Sequence, residues 1–307
     1  MFLLIVLCVF LCVVLGGGYY AYRIAFFSPV KKCECVKTPK DPQYDPYREE
    51  MKRIYYKLND RPSETVTTFS YDGLLLSGRY YHVKDGAPLD IGFHGYRSHP
   101  LSDFSGGSEL SFQLEHNLLL VDQRAHGKSE GKSISFGIQE RHDVMSWICF
   151  ALERFGSDTR ILLYGVSMGA STVLMASELE LPENVKGIVA DCPYASPMEI
   201  ILHVAKNDMA IPLWLVKLFV VVGAKIYGGF DIRESNANLA VSKAKVPILI
   251  IHGEDDRFVP CEMSNLVSYN PAFVTRYTFP GAAHGISYLV DRPRYQQIVM
   301  DFVEKIL

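Results

Sequence analysis

The stretch LLYGVSMGAS, residues 162–171, sets one serine between small residues where an apolar run gives way to a helix-like sequence. Gly165-Val166-Ser167-Met168-Gly169 has the form G-x-S-x-G, in which a strand turns into a helix within one residue. So sharp a turn strains the serine backbone and requires small neighbours. It also leaves the Ser167 hydroxyl exposed with a helix N-terminus behind it. A serine is a weak nucleophile at neutral pH and needs a base that a third group orients. Of the nine histidines only His284, in the small-residue loop FPGAAHGIS, follows His252, so His284 is the expected base. The acid is expected after the run VPILIIHG, where Glu254, Asp255 and Asp256 stand side by side. HGEDDRFVP fits H-G-x-x-D-x-x-V-P only with Asp256; Asp255, and Asp191 in VADCP, are the alternatives. Asp256 would hold the His284 tautomer and stabilise its imidazolium. His252 is expected to pack or hydrogen-bond locally.

Acyl transfer at a serine develops an oxyanion that needs preorganised N–H donors. One is expected from the backbone of Met168, the residue after the serine. The other is expected from FHGYRS, residues 93–98, at Tyr96, with Gly95 and Arg97 as near alternatives. The glycine lets this backbone approach a substrate closely, and His94 is expected to brace the loop. No motif calls for a metal or an organic cofactor.

These residues need a frame. ETVTTFS and LLLSGRYYHV read as strands around the turn YDG. PLDIGFHG, NLLLVDQR, RILLYGVS, VKGIVADCP and VPILIIHG are short apolar runs that end in glycine, aspartate or proline. Helix-period segments lie between them at 107–116, 137–155 and 168–179, and RPRYQQIVMDFVEKIL closes the chain with one apolar face. Strands alternating with helices predict parallel βα units, with helices on both faces of a sheet whose strands are therefore continuously apolar. Ligands bind such sheets beyond the carboxyl ends of the strands.

From about Glu64 to Leu307 the chain resembles an α/β-hydrolase. FHGY, DQRAHGKSEG, YGVSMG, HGEDDRFVP and GAAHG occur in that family's order. In style it is similar to membrane-anchored bacterial hydrolases of the dienelactone-hydrolase-like, serine-peptidase-like group. DQRAHGKSEG departs from the family's D-x-R-G-x-G-x-S at Ala125, while Asp122, Arg124, Gly127 and Ser129 match. The resemblance implies a mostly parallel sheet flanked by helices and a serine hydrolase acting on carboxylic esters or thioesters through an acyl-enzyme. Ser167 would attack, His284 transfer protons, Asp256 orient His284, and the Tyr96 and Met168 N–H groups bind the oxyanion. Dehalogenases of this fold carry aspartate at the elbow, so Ser167 points away from them. A peptidase or cofactor-free haloperoxidase would use the same triad, and a non-catalytic membrane-tethered binding protein is the rival from another class.

The N-terminal MFLLIVLCVFLCVVLGGGYYAYRIAFF carries no charge before Arg23 and is long enough to span a bilayer. It lacks the basic start and small-x-small site of a cleaved signal, so residues 1–27 are expected to be an uncleaved single-pass anchor. A buried core helix and a cleaved signal are the alternatives. Arg23, Lys31, Lys32, Lys37 and Lys40 follow the span, which favours a cytoplasmic catalytic domain. Seven scattered cysteines form neither a disulfide framework nor a zinc spacing and suit a reducing compartment; Cys33 and Cys35 could instead mark a lipidation or metal spot. The net charge of −3 offers no basic field for nucleic acid. Residues 28–63 read as a linker with a short helix at 47–58, and residues 64–307 as the hydrolase domain. Between the runs at Val185 and Val246, residues of about 193–244 form a cap insertion. Its apolar part, 211–222 around Trp214 and Lys217, could line an acyl pocket, dip into the bilayer or pack on the sheet. The expected partners are a small-molecule or lipid-like acyl substrate and the membrane. Deleting about 30 residues is expected to leave a soluble folded enzyme.

Overall fold

The apolar runs become eight strands: β1 (Glu64–Phe69), β2 (Leu75–Tyr81), β3 (Leu89–Phe93), β4 (Asn117–Asp122), β5 (Ile161–Val166), β6 (Val185–Asp191), β7 (Ile248–Gly253) and β8 (Val274–Phe279). The computed structural model describes residues 1–29 and 38–307. Cys33, Cys35, Lys31, Lys32 and Lys37 therefore lie outside the described residues, as does the expectation of a lipidation or metal spot. The strands form one sheet in the order β1-β2-β4-β3-β5-β6-β7-β8. The β1/β2 and β2/β4 pairs are antiparallel, and every pair from β4 onward is parallel. All residues of β3 and β7 are buried, because helices cover both faces there; the edge strands are more open, with Val66 the one buried residue of β1 and only the end residues Val274 and Phe279 buried in β8.

The N-terminal helix α1 (Phe2–Ala21) stands apart from the sheet. The helices α2 (Arg48–Asn59), α3 (Pro100–Asp103) and α4 (Ser105–Gln113) cover one sheet face, while α5 (Glu140–Phe155) and α6 (Met168–Ala176) cover the other. The segment 28–63 is thus more than a linker. Ile54, Tyr55 and Leu58 of α2 are buried against Leu101 and Leu110, and the 3₁₀ turn Pro42–Tyr47 before it buries Tyr44. The insertion holds α7 (Pro197–Asp208) and α8 (Leu213–Val222), which runs on into a π-helical turn at Gly223–Gly228. Its last helix, α9 (Ala237–Lys243), packs on α6 as an ordinary sheet-covering crossover, so the cap proper ends before Ala237. Short α10 (Ser287–Val290) and α11 (Arg292–Ile306) complete the first face.

Among the described residues one helix, Phe2–Phe26 with a mean hydropathy of 2.7, is long and apolar enough to cross a membrane. Its first part is bare: Phe2 is 82% exposed and Leu15 still 38%. Its last turns lie against α8, so the main partners of the apolar 211–222 segment are α1 and α7 rather than the sheet. The Phe219 ring occupies the space a side chain at Gly17 would need, Val222 does so at Gly18, and Gly223 sits against the Gly18 carbonyl. Only small residues permit so close a crossing.

Beyond α1 the chain enters the body. Phe26 is fully buried, edge-on to the rings of Phe136 and Phe230, and Phe27 bridges Ser133. The expectation that removing about 30 residues leaves a soluble enzyme is therefore revised. Such a deletion uncovers the apolar face of α8 and empties the Phe26 site, a loss of about 3–5 kcal/mol for a buried phenylalanine. That protein should aggregate on size-exclusion chromatography, whereas deletion of residues 2–14 should leave the unfolding temperature of the body close to that of the full chain. A monodisperse, equally stable product from the longer deletion would contradict this packing.

Candidate active site

β5 ends at Val166 and α6 starts at Met168, which leaves Ser167 alone to make the turn, at φ 56° and ψ −118°. L-residues avoid this backbone conformation. It is held by the Ser167 N–H, which donates to the Asp191 carbonyl at 2.8 Å, and by the Ser171 N–H, which donates to the Ser167 carbonyl at 3.0 Å. A Cβ at Gly165 would strike the backbone of Gly169, and one at Gly169 the carbonyl of Phe93, so both flanking glycines are required by close approach.

The loops after β5, β7 and β8 bring three of the expected side chains together at the carboxyl edge of the sheet. His284 Nε2 lies 2.9 Å from Ser167 Oγ, and His284 Nδ1 lies 2.6 Å from Asp256 Oδ2. Asp256 Oδ1 accepts from the N–H groups of Phe258 and Val259 at 2.9 and 2.8 Å, and Oδ2 also meets His252 Nε2 at 3.1 Å. The alternatives are placed elsewhere. Asp255 is exposed, and the Asp191 carboxylate accepts from Tyr295 OH at 3.0 Å. Burial works against the Asp256 charge, but hydrogen bonds from His252, His284 and Val259 hold its pKa well below the usual carboxylate range. Burial likewise opposes a charged His284, yet Asp256, with Asp191 and Asp103 behind it, raises that imidazole above its ordinary pKa.

In the loop after β3, the Gly95 N–H donates to Asp103 Oδ2 at 2.6 Å and the Arg97 N–H to His126 Nε2 at 3.0 Å. Tyr96 and Met168 keep N–H groups with no acceptor among the described residues. Gly95 packs against the Ser167 side chain, where a Cβ would be 3.2 Å from Ser167 Cβ. His94 braces the loop through Gly95 and Gln123, as expected of it. The DQRAHGKSEG turn supports it from behind. Buried Arg124 forks between Asp143 and Asp72, Ser129 Oγ donates to the Asp122 carbonyl, and Ala125 takes a left-handed φ of 61° with its methyl fully buried.

Several contributors carried no sequence signal. Asp103 ties Gly95 to Ser98. Tyr44, from the segment read as linker, donates its hydroxyl to the His284 carbonyl at 2.8 Å, and the Phe258 ring meets the imidazole edge-on. The Tyr96 hydroxyl donates to the Ala25 carbonyl at 2.8 Å, and Arg97 Nη2 to the carbonyls of Ile24 and Phe27 at 2.7 and 3.0 Å. The end of the N-terminal helix thereby fastens this loop. A cavity of about 470 Å³ opens beside Ser167, walled by α7, α8 and the last turns of α1. Cys192, Asp256 and His284 bring possible ligand atoms within 4.8 Å of one another. Asp256 and His284 are already bonded to each other, however, and burial pushes the Cys192 thiol well above its ordinary pKa, so the thiolate a metal prefers is disfavoured.

The family profile described as alpha/beta hydrolase fold matches residues 93–220. The uncharacterized protein YqkD of Bacillus subtilis (strain 168) is 24% identical over 291 residues, which cover 94% of this chain and 92% of YqkD. The Pyrococcus furiosus esterase Pf2001 is similar in structure, with a TM-score of 0.67 at 20% identity over 92% of this chain and 99% of the esterase. The acylaminoacyl peptidase of Pyrococcus horikoshii has a TM-score of 0.58 at 19% identity, over 83% of this chain and 43% of the peptidase. Likeness at such identities is likeness of fold. The matched residues run from the end of β3 through the serine turn into the cap, within an eight-stranded, mostly parallel sheet covered on both faces: the chain has the α/β-hydrolase fold.

Proposed function

We propose that the protein is a membrane-anchored serine hydrolase that cleaves carboxylic esters or thioesters through an acyl-enzyme. The observation that carries this reading is the unbroken relay from Ser167 Oγ through His284 to Asp256, at 2.9 and 2.6 Å. Ser167 Oγ forms a bond to the substrate carbonyl carbon as His284 Nε2 takes its proton. The carbonyl oxygen becomes an oxyanion, which the free N–H groups of Tyr96 and Met168 receive. Collapse breaks the bond to the leaving group, which accepts the proton from His284. Water then repeats the sequence, giving its proton to His284, and releases the acid. Asp256 stays ionised throughout and fixes the imidazole with Nε2 facing the serine. The apolar cavity beside Ser167 favours an ester or thioester with a hydrocarbon acyl group over a peptide.

Reaction with a fluorophosphonate probe tests the proposal, since only an activated serine should label. Labelling needs neutral His284, whose pKa is raised, so the rate should fall as pH drops through a value above that of free imidazole, near 6.5. Asp191→Asn removes one of the charges that raise it and should move this acid limb to lower pH. A pH-independent rate would contradict the assignment of His284 as base, whereas a limb unmoved by Asp191→Asn would show only that the Asp191 charge does not act on it.

A further inference from the structure

The bare part of α1 is too short to cross a membrane. From Phe2 to Leu15 it has 14 residues, and at about 1.5 Å per residue they reach roughly 21 Å against a hydrocarbon core of about 30 Å. In the anchored protein proposed above, the missing length comes from the turns up to Ala21, which pack on α8 through Gly17 and Gly18. The junction of α1 and α8 therefore sits at the depth of the acyl chains. Its surface is suited to that medium: Trp214 is 69% exposed, and Leu213, Ile211 and Ile226 are exposed with it. The cavity at Ser167 lies at this junction. Tyr20, Ala21 and Ile24 of the α1 segment form one wall, and Ile211, Val216 and Phe219 of the cap form another.

We infer that the substrate is a lipid ester whose acyl chain enters from the bilayer beside the crossing of α1 and α8 and lies in this cavity with its carbonyl at Ser167. The inference rests on the hydrolase reading above and adds the route and the substrate class. The anchor thereby becomes part of the enzyme. Its turns at Tyr20–Ile24 form acyl-binding surface, and its carbonyls at Ile24, Ala25 and Phe27 hold the Tyr96–Arg97 loop through the bonds described. The cavity volume falls in the range of roughly 300–1,000 Å³ found for small organic ligands, room for one hydrocarbon chain beside the serine.

The full-length protein in phosphatidylcholine vesicles, assayed with 4-nitrophenyl hexadecanoate and 4-nitrophenyl acetate, tests this. Ala21→Phe fills the cavity and should lower the ratio of kcat/KM for hexadecanoate over acetate by about thirtyfold, the worth of two or three buried methylene groups. Val9→Phe introduces the same ring on the exposed part of α1 and should leave the ratio alone. Should Ala21→Phe fail to accumulate as folded protein, Ile211→Phe at the exposed rim reads the same ratio. Diluting the hexadecanoyl ester with ether lipid at constant bulk concentration should lower its rate in step with its mole fraction in the membrane. Retained probe labelling with an unchanged ratio, or a rate that ignores surface dilution, overturns the lipid inference and leaves the hydrolase standing. Absence of both labelling and acetate hydrolysis in the unmodified protein overturns both.

Discussion

Ser167→Ala is expected to abolish probe labelling and to lower kcat by a factor on the order of 10⁶, the scale found when a triad nucleophile is removed. The fold should hardly register the change. The substitution deletes one oxygen and one hydrogen bond, that to His284 at 2.9 Å, worth about 1 kcal/mol or a Tm shift of about 1–2 °C. Ser167→Gly should be just as inactive yet comparatively stable. Glycine adopts φ 56°, ψ −118° without the steric cost of about 1–2 kcal/mol that a side chain carries in such a conformation, although it adds unfolded-state entropy. An inactive variant that is not destabilised would mark the strain at this turn as a feature maintained for chemistry. Retained turnover in Ser167→Ala would remove the serine mechanism altogether.

Asp256→Asn should reduce kcat by about 10⁴, the effect of the same replacement in a serine protease triad, because an amide nitrogen facing His284 selects the wrong tautomer. It should also cost stability. The carboxylate is buried and serves two backbone N–H groups and two imidazoles, and an amide offers only one acceptor oxygen, so about 1–3 kcal/mol is at stake. Asp255→Asn, one residue away, changes an exposed side chain whose residue contributes only its backbone: its N–H donates to the Ala282 carbonyl and its carbonyl accepts from Gln43. Its kinetics should stay close to those of the unmodified protein, measured with 4-nitrophenyl acetate. If the larger loss followed Asp255→Asn, the acid would have to be reassigned.

The sequence by itself determined what local sterics and periodicity govern. The turn at Gly165–Gly169 is legible because only small residues tolerate the backbone approach there, to Gly169 at Gly165 and to the Phe93 carbonyl at Gly169, and the resulting pattern spans five residues. The strands are legible because burial on both faces leaves no polar position in runs such as Ile248–Ile251. The order of Ser167, Asp256 and His284 could be read from motifs at the ends of those runs. The motif already favoured Asp256 over Asp255, and the tertiary structure supplies the reason, since one residue of rotation at the end of β7 separates an exposed side chain from a buried one. Only that structure decided that Tyr44 and Asp103 support the site, because a single tyrosine or aspartate far away in the chain carries no pattern. The widest gap between the two concerns α1 and α8. An apolar stretch looks the same whether it will meet lipid, a sheet or another helix, since the hydrophobic effect has no direction. The pairing of Gly17 and Gly18 with Phe219, Val222 and Gly223 converts two separately readable apolar segments into two adjoining walls of the cavity beside Ser167.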